Sequence, residues 1–200
     1  METGLLSNVF RQPAGIPGRL TGYLQSLKGK DRSAWTISQL NIQSYQHILE
    51  IGFGPGNTLD EVARKLKVGF LAGIDPSVTM YQQAYRRNRR HIQQQLMQLH
   101  LGDLCELPYP PNYFHTIYGS NVHFFWKDPL GELIRLTSLL RPGGRLVQVF
   151  QPRWARKATD IREIAERTQQ DYINAGLCNV QVEYRDMYPV TCISLTGFKP

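Results

Sequence analysis

Three glycines at alternate positions follow a short apolar run near residue 50. Residues 50–58 read EIGFGPGNT and come directly after the apolar letters HIL. Glycine-rich turns between a strand and a helix let a ligand approach the backbone closely. The dinucleotide fingerprint is G-x-G-x-x-G, but Gly52, Gly54 and Gly56 form G-x-G-x-G, and Asn57 stands where the third glycine would be. This spacing favours a bulkier, uncharged group beside the backbone, with a turn that only joins strand to helix as the alternative.

Two aspartates end the next two apolar runs. Asp75 follows GFLAGI, 23 residues after Gly52, and Asp103 follows MQLHLG. A carboxylate at the tip of the second strand can accept hydrogen bonds from both hydroxyls of a ribose, and Asp103 is placed to accept from an adenine amino group. NAD offers the same ribose, and capping of the helix near PSV is the structural alternative for Asp75. No Lys-Ser/Thr pair follows the glycines, which excludes a P-loop.

The elements that position these residues alternate along the chain. Apolar runs predict strands at 47–52, 69–75, 97–103, 113–119, 145–150, 179–185 and 190–198, and amphipathic stretches predict helices at 57–67, 77–90, 129–140 and 157–175. Alternation of strands and helices implies a parallel sheet covered on both faces. The last two strands are joined by a short connection around Pro189, which is too short for a crossover and predicts an antiparallel hairpin. The expected fold class is α/β, a seven-stranded, mostly parallel sheet with one antiparallel strand.

Local signals in the helices predict their ends and buried faces. Thr58 and Glu61 fit a capping box at the start of the first helix of the sheet region, and Asn57 is another good capping residue. In the helix over 77–90, we expect Val78, Tyr81 and Tyr85 to lie on one side.

The length of 200 residues suits one α/β domain. We expect residues 46–200 to form this domain and residues 1–45, which are rich in Pro and Gly and little patterned, to form a helical or loop segment. AWTISQLNI within that segment suggests a short helix. No apolar run approaches the roughly 20 residues that a membrane span needs, and the N-terminus carries no signal-peptide pattern.

Charge and cysteine content narrow the setting. The formal charge of +7 and the isoelectric point near 9.5 permit an anionic partner. Cys105, Cys178 and Cys192 are far apart and follow no metal-binding pattern. We therefore expect a reduced, cytoplasmic protein without a metal site.

At this point five motifs resemble those of class I S-adenosylmethionine-dependent methyltransferases of the small methyltransferase-domain type. HILEIGFGPGNT resembles the family's first motif, and GIDPS resembles its acidic motif after the second strand. LGD with LP four residues later resembles the adenine-side motif. YFHTIYGSNVHFFW resembles the motif of the fourth strand, and LLRPGGRLV resembles the stretch that leads to the fifth. The resemblance covers residues 45–200 and specifies no substrate.

The resemblance implies S-adenosylmethionine as cofactor and a role for each matching residue. Glu50 would organise the turn and the methionine end, while the backbone at Gly52, Gly54 and Gly56 would lie along the methionine and ribose. Asp75 would bind the ribose diol. The remaining contacts would come from Pro76 and Met80 near the adenine, Asp103 at its amino group, Leu104 over the ring, and Asn121 at the methionine end.

Methyl transfer from a sulfonium is an in-line displacement, so the protein mainly aligns the acceptor and excludes water. A general base is needed only when the acceptor is protonated. His123 is the candidate base, and packing beside Phe124, Phe125 and Trp126 is the favoured alternative. The HFFW stretch could line an apolar acceptor pocket, and Tyr23 and Trp35 could close over it.

We expect a small-molecule acceptor, and other functions remain open. The basic run YRRNRRH at 85–91 suits the end of a helix, so a solvated face is favoured over an RNA surface, although an RNA methyltransferase remains an alternative. An NAD-dependent oxidoreductase conflicts with the glycine spacing and the final hairpin. A non-catalytic methyltransferase-like protein would not need Gly52, Asp75 and Asp103 together.

Overall fold

A seven-stranded sheet with helices on both faces forms the centre of the computed structural model, which describes residues 30–200. The strands are β1 (His47–Ile51), β2 (Phe70–Asp75), β3 (Met97–Leu101), β4 (Phe114–Ser120), β5 (Leu140–Phe150), β6 (Cys178–Arg185) and β7 (Cys192–Phe198). The helices are α1 (Lys30–Gln39), α2 (Asn57–Ala63), α3 (Val78–Arg87), α4 (Arg89–Gln93), α5 (Pro129–Leu139) and α6 (Ala158–Asn174). Leu104–Glu106 and His123–Phe125 form single 3₁₀ turns.

The strand order is β3-β2-β1-β4-β5-β7-β6. Strands β1 to β5 pair in parallel, whereas β7 runs antiparallel to both of its neighbours. The predicted fold class, a mostly parallel seven-stranded sheet with one reversed strand, is therefore confirmed. The order reverses between β1 and β4, and ligands of open α/β sheets bind outside the carboxyl ends of the strands at such a point.

Alternate side chains of the strands build one apolar layer on each face. Ile48 and Val149 belong to the layer under α1 and α2, while Leu49 and Phe150 belong to the layer under α5 and α6. Because both faces are covered, β1, β2 and β4 are buried over most of their length, although polar residues such as Glu50 and Thr116 occur within them. This rigid sheet fixes the positions of the loops at its carboxyl edge.

One local prediction is wrong. Helix α2 begins after Gly56, whose backbone is left-handed and which makes no side-chain cap hydrogen bond, so the Thr58–Glu61 capping box does not form. Val78, Tyr81 and Tyr85 lie on one side of α3 as expected, with the rings of Tyr81 and Tyr85 stacked, but this side is largely exposed and the helix buries Met80 and Ala84 instead.

The N-terminal segment is described from Lys30 onward. The helix expected around AWTISQLNI is α1, and its Trp35 is buried with Leu40 in the layer above β1 and β5. Tyr23 and the other residues before Lys30 lie outside the described residues, and the lid role of residues 1–45 stays a prediction.

Candidate functional site

The carboxyl edge of the sheet brings most of the sequence-predicted residues together. The glycine turn follows β1, Asp75 ends β2 and Asn121 follows β4. Because parallel neighbouring strands end at the same edge, residues that lie 20 to 70 positions apart in sequence share one surface. This is the part of the fold where a ligand is expected.

Two backbone N–H groups of the glycine turn donate hydrogen bonds to residues of β2. The Gly52 N–H donates to the Ile74 carbonyl at 2.7 Å, and the Gly54 N–H donates to Asp75 Oδ2 at 2.9 Å. Gly54 has a φ of +53°, and a Cβ built there would meet no atom within 4 Å. The backbone of the turn therefore faces open space at Gly54, where a ligand has room to approach.

Gly56 is required for packing. Its φ is +76°, and an added Cβ would lie 2.8 Å from Ala84 Cβ and 2.6 Å from Asn88 Nδ2. The Asn88 amide also donates to the Gly56 carbonyl at 3.1 Å. The third glycine thus joins the turn to α3, and this packing accounts for its position.

Asp75 is a buried acceptor beside the turn. Its Oδ1 accepts from the Ser77 N–H at 2.9 Å, while Oδ2 accepts from Gly54. Burial raises the pKa of Asp75 to about 6, and these two N–H donors oppose the rise. Each carboxylate oxygen has a further lone pair, so the group can still accept from a diol.

Glu50 is buried in β1 and hydrogen-bonded to its neighbour on β4. Tyr118 is opposite Glu50 in the strand register, and its hydroxyl donates to Glu50 Oε2 at 2.7 Å. Burial raises the pKa of Glu50 to about 8, although the Tyr118 hydrogen bond lowers it. The carboxyl is therefore largely protonated at neutral pH when no cation lies beside it.

The residues expected around an adenine differ in exposure. Asp103 is exposed, and its N–H donates to Glu106 Oε2 at 2.7 Å. Leu104 is buried in the apolar layer under α5. Pro76 is half-buried, and Met80 is buried in the first turn of α3, with its N–H on Ser77 Oγ at 3.3 Å.

Asn121 connects the ends of β4 and β5. Its φ is +57°, its N–H donates to the Val149 carbonyl at 3.0 Å, and its side-chain oxygen accepts from the Gln151 N–H at 2.8 Å. The next residue, Val122, fills the space above Gly52 and above Gly119, where an added Cβ would lie 2.6 Å from Val122 Cγ2. Val122 and Gly119 were not predicted from the sequence, because a close approach leaves no local pattern.

His123 packs among aromatic rings. Its ring centroid lies 3.8 Å from that of Phe124 and 4.2 Å from that of Phe150. Both ring nitrogens are buried without a hydrogen-bond partner among the described residues. Burial lowers the pKa of His123 to about 3, so the ring is neutral at physiological pH.

A residue that the sequence did not indicate also reaches this edge. Arg32 of α1 donates from Nε to Ser120 Oγ at 3.0 Å, at the carboxyl end of β4. The two residues are 88 positions apart. No local pattern could have joined them, since the contact depends on how α1 packs over the sheet.

The comparisons with known proteins agree with this geometry. A methyltransferase-domain family model matches residues 48–144, which include the glycine turn, Asp75 and Asn121. An uncharacterized methyltransferase of Bacillus subtilis, YdaC, is 26% identical over 182 residues, covering 90% of this chain and 98% of the relative. The chain is therefore similar to methyltransferases over most of its length, and its sheet has the Rossmann-like order.

Solved structures match this chain in fold. A SAM-dependent methyltransferase from Aquifex aeolicus superposes with a TM-score of 0.69 at 15% identity, covering 89% of this chain and 97% of that one. Phosphoethanolamine N-methyltransferase 2 of Haemonchus contortus, solved with S-adenosyl-L-methionine, also gives 0.69 at 14% identity, covering 86% of this chain and 53% of that one. The fold is therefore shared with proteins that use or bind S-adenosylmethionine.

Residues 30–200 contain neither a candidate membrane span nor a candidate metal-binding cluster. No helix there is long and apolar enough to cross a membrane. No group of three His, Cys, Asp or Glu side chains in the same range is placed to hold a metal ion.

Proposed function

We propose that this protein transfers a methyl group from S-adenosylmethionine to a small-molecule acceptor by in-line displacement. The observation that carries the cofactor half of this proposal is the open backbone at Gly54 beside the buried Asp75 carboxylate. The cofactor supplies the activated methyl group and the leaving group. The protein supplies alignment and a water-poor surface.

The cofactor half of the site is formed by β1, β2 and the turns that follow them. In this proposal the backbone at Gly52 and Gly54 lies along the methionine and ribose, and Asp75 accepts from the ribose diol. Glu50 stabilises the positively charged methionine end, and its raised pKa would then fall beside that cation. The remaining proposed contacts are the backbone at Gly56, Pro76 and Met80 near the adenine, Asp103 at its amino group, Leu104 beside the ring, and Asn121 at the methionine end.

The acceptor half is proposed to be aromatic. Phe124 and Trp126 are half-buried after β4, and Trp154 after β5 is 56% exposed. The rings of Phe124 and Trp154 meet edge to face with centroids 4.3 Å apart. Such a surface suits an apolar or aromatic small molecule.

We propose that His123 supports this aromatic surface by packing against Phe124 and Phe150, and that it does not act as a general base. A ring with a pKa of about 3 is a weak proton acceptor. We expect His123→Asn to lower kcat by less than tenfold and to retain every limb of the wild-type pH–rate profile. Loss of a limb near neutral pH would instead identify His123 as the general base.

RNA is the alternative acceptor, and the basic run does not favour it. Arg87 donates to the Pro55 carbonyl at 2.9 Å, and His91 lies 2.9 Å from Asp60. Two of the run's side chains are therefore used within the fold. Arg86, Arg89 and Arg90 are exposed, as is common on a solvated helix face.

Uptake of labelled methyl groups from S-adenosylmethionine tests the acceptor class. Small aromatic acceptors and bulk RNA are offered in parallel to the wild type, to Trp154→Ala and to the double variant Arg89→Ala/Arg90→Ala. We expect uptake by small acceptors that falls at least tenfold in Trp154→Ala and is unchanged in the double variant. Salt-sensitive uptake by RNA that is lost in the double variant would reverse the assignment.

A further inference from the structure

The guanidinium of Arg32 is a partly satisfied cation at the acceptor side of the site. Its Nε donates to Ser120 Oγ at 3.0 Å, but its Nη1 is buried and has no hydrogen-bond partner among the described residues. No carboxylate of residues 31–200 forms an ion pair with it. Buried charged donors are costly unless they are paired, so this arrangement suggests that the partner is a ligand.

Neither of the two ionisable side chains that affect the pKa of Arg32 neutralises its charge. Burial lowers the pKa of Arg32, and the positive charge of Arg153, which follows β5, lowers it further. The Cys192 thiol donates to the Phe150 carbonyl at 3.2 Å, and burial raises the pKa of this thiol to about 11. The thiol is therefore neutral at physiological pH, and no carboxylate of residues 31–200 forms an ion pair with Arg32 or Arg153.

Arg32 lies on a different side of the site from most of the proposed cofactor residues, although its partner Ser120 directly precedes Asn121. Helix α1 packs against β5 and β7, and Ser120 ends β4. The proposed contacts of the methionine and ribose come mainly from β1 and β2, on the other side of the point where the strand order reverses. Arg153 also lies next to Trp154, which belongs to the aromatic surface.

We propose that Arg32, assisted by Arg153, binds an anionic group of the methyl acceptor, a carboxylate or a phosphate. The planar fork of a guanidinium matches the paired oxygens of either group, and its buried Nη1 supplies a donor that is already oriented by Ser120. The acceptor is then an apolar or aromatic molecule that carries an acid. This inference rests on the proposed function, since it assigns the charge of that same acceptor.

Binding of paired probes to the protein loaded with S-adenosylhomocysteine tests the proposal. Benzoate and phenyl phosphate are the anionic probes, and benzamide is the neutral counterpart of benzoate. Titrations followed by NMR should show at least tenfold tighter binding of one anion than of benzamide. The anion that binds more tightly distinguishes a carboxylate from a phosphate.

Variants of Arg32 assign the binding to this residue. Arg32→Met should weaken the preferred anion at least tenfold, Arg32→Lys less, and the exposed control Arg162→Met not at all. S-adenosylhomocysteine affinity should remain within twofold in every variant. Should Arg32→Met fail to fold by circular dichroism, Ser120→Ala removes only the orienting hydrogen bond and should weaken the anion severalfold.

Three results would overturn the proposal. Benzamide could bind as tightly as both anions, or the anions could bind equally in wild type, Arg32→Met and Ser120→Ala. Alternatively, Arg32→Met could weaken S-adenosylhomocysteine tenfold while leaving 5′-methylthioadenosine, which lacks the amino-acid part, unchanged; Arg32 would then hold the methionine carboxylate. Failure of the wild type to bind S-adenosylhomocysteine would instead contradict the proposed function itself.

Discussion

Asp75 combines two tasks at one position. Its carboxylate accepts from the Gly54 N–H and the Ser77 N–H, and it is proposed to accept from the ribose diol as well. The protein hydrogen bonds fix the orientation of the carboxylate before the ligand arrives, which lowers the entropy cost of binding. In the proposed complex, a single side chain thus shapes the glycine turn and recognises the sugar.

Replacing Asp75 by alanine should weaken cofactor binding. The diol would lose its acceptor and the Gly54 N–H would lose its partner, so we expect Asp75→Ala to reduce S-adenosylhomocysteine affinity at least tenfold, or about 1.4 kcal/mol. Isothermal titration calorimetry measures the change, with the exposed Glu163→Ala as control. Equal affinity in Asp75→Ala and the control would remove Asp75 from the site.

The buried Glu50 predicts a pH dependence of stability. Because its pKa is raised from 4.5 to about 8 in the folded protein, the unfolded chain releases a proton that the folded protein keeps. The contribution of Glu50 to the free energy of unfolding is therefore fully present below about pH 4.5 and is lost as pH rises through about 8. Glu50→Gln should remove this loss.

Melting curves at two pH values test this assignment. The Tm of Glu50→Gln relative to wild type should be higher at pH about 8.5 than at pH about 5, while the exposed Glu163→Gln shows no such change. An equal Tm difference between Glu50→Gln and wild type at both pH values would mean that the pKa of Glu50 is not raised in the folded protein.

At the scale of elements, the glycine turn contains one residue that is proposed to face the ligand and another that packs on helix α3. Gly54 faces open space, whereas Gly56 contacts α3. Both residues have positive φ, so alanine strains each of them by about 1–2 kcal/mol. The two substitutions differ in what the added methyl group meets.

We therefore expect Gly54→Ala and Gly56→Ala to separate binding from stability. Gly54→Ala should weaken S-adenosylhomocysteine at least tenfold with a small decrease in Tm. Gly56→Ala should lower Tm much more, because its methyl group collides with Ala84 and Asn88. Thermal melts and calorimetry on both variants give the comparison, and the opposite pattern would show that Gly56, not Gly54, faces the ligand.

The elements were largely predictable because strand–helix alternation and apolar runs report burial on both faces of a parallel sheet. The prediction failed where local signals compete with tertiary packing. Thr58 and Glu61 offered a cap, but the left-handed Gly56 already leads the chain into α2. In α3, Ala84 is buried where Gly56 packs against it and Met80 is buried as well, whereas the apolar residues Val78 and Tyr85 are exposed.

At the scale of the whole molecule, the sheet brings distant residues to one edge. The glycine motif and Asp75 were visible in the sequence because each stands at the end of an apolar run that predicts a strand. The contact between Arg32 and Ser120 was not visible in the sequence. The two residues are 88 positions apart and meet only because α1 packs against the sheet. The residues proposed for the cofactor half were therefore visible as sequence motifs, whereas those proposed for the acceptor half required the three-dimensional arrangement.

The most direct test of the central claim is calorimetric titration of the protein with S-adenosylmethionine, S-adenosylhomocysteine and NAD. We expect saturable heat with both sulfur-containing adenosines and none with NAD, because the third glycine packs on α3 and the open backbone at Gly54 lies beside the Asp75 carboxylate. Saturable heat with NAD and none with S-adenosylmethionine or S-adenosylhomocysteine would contradict the account.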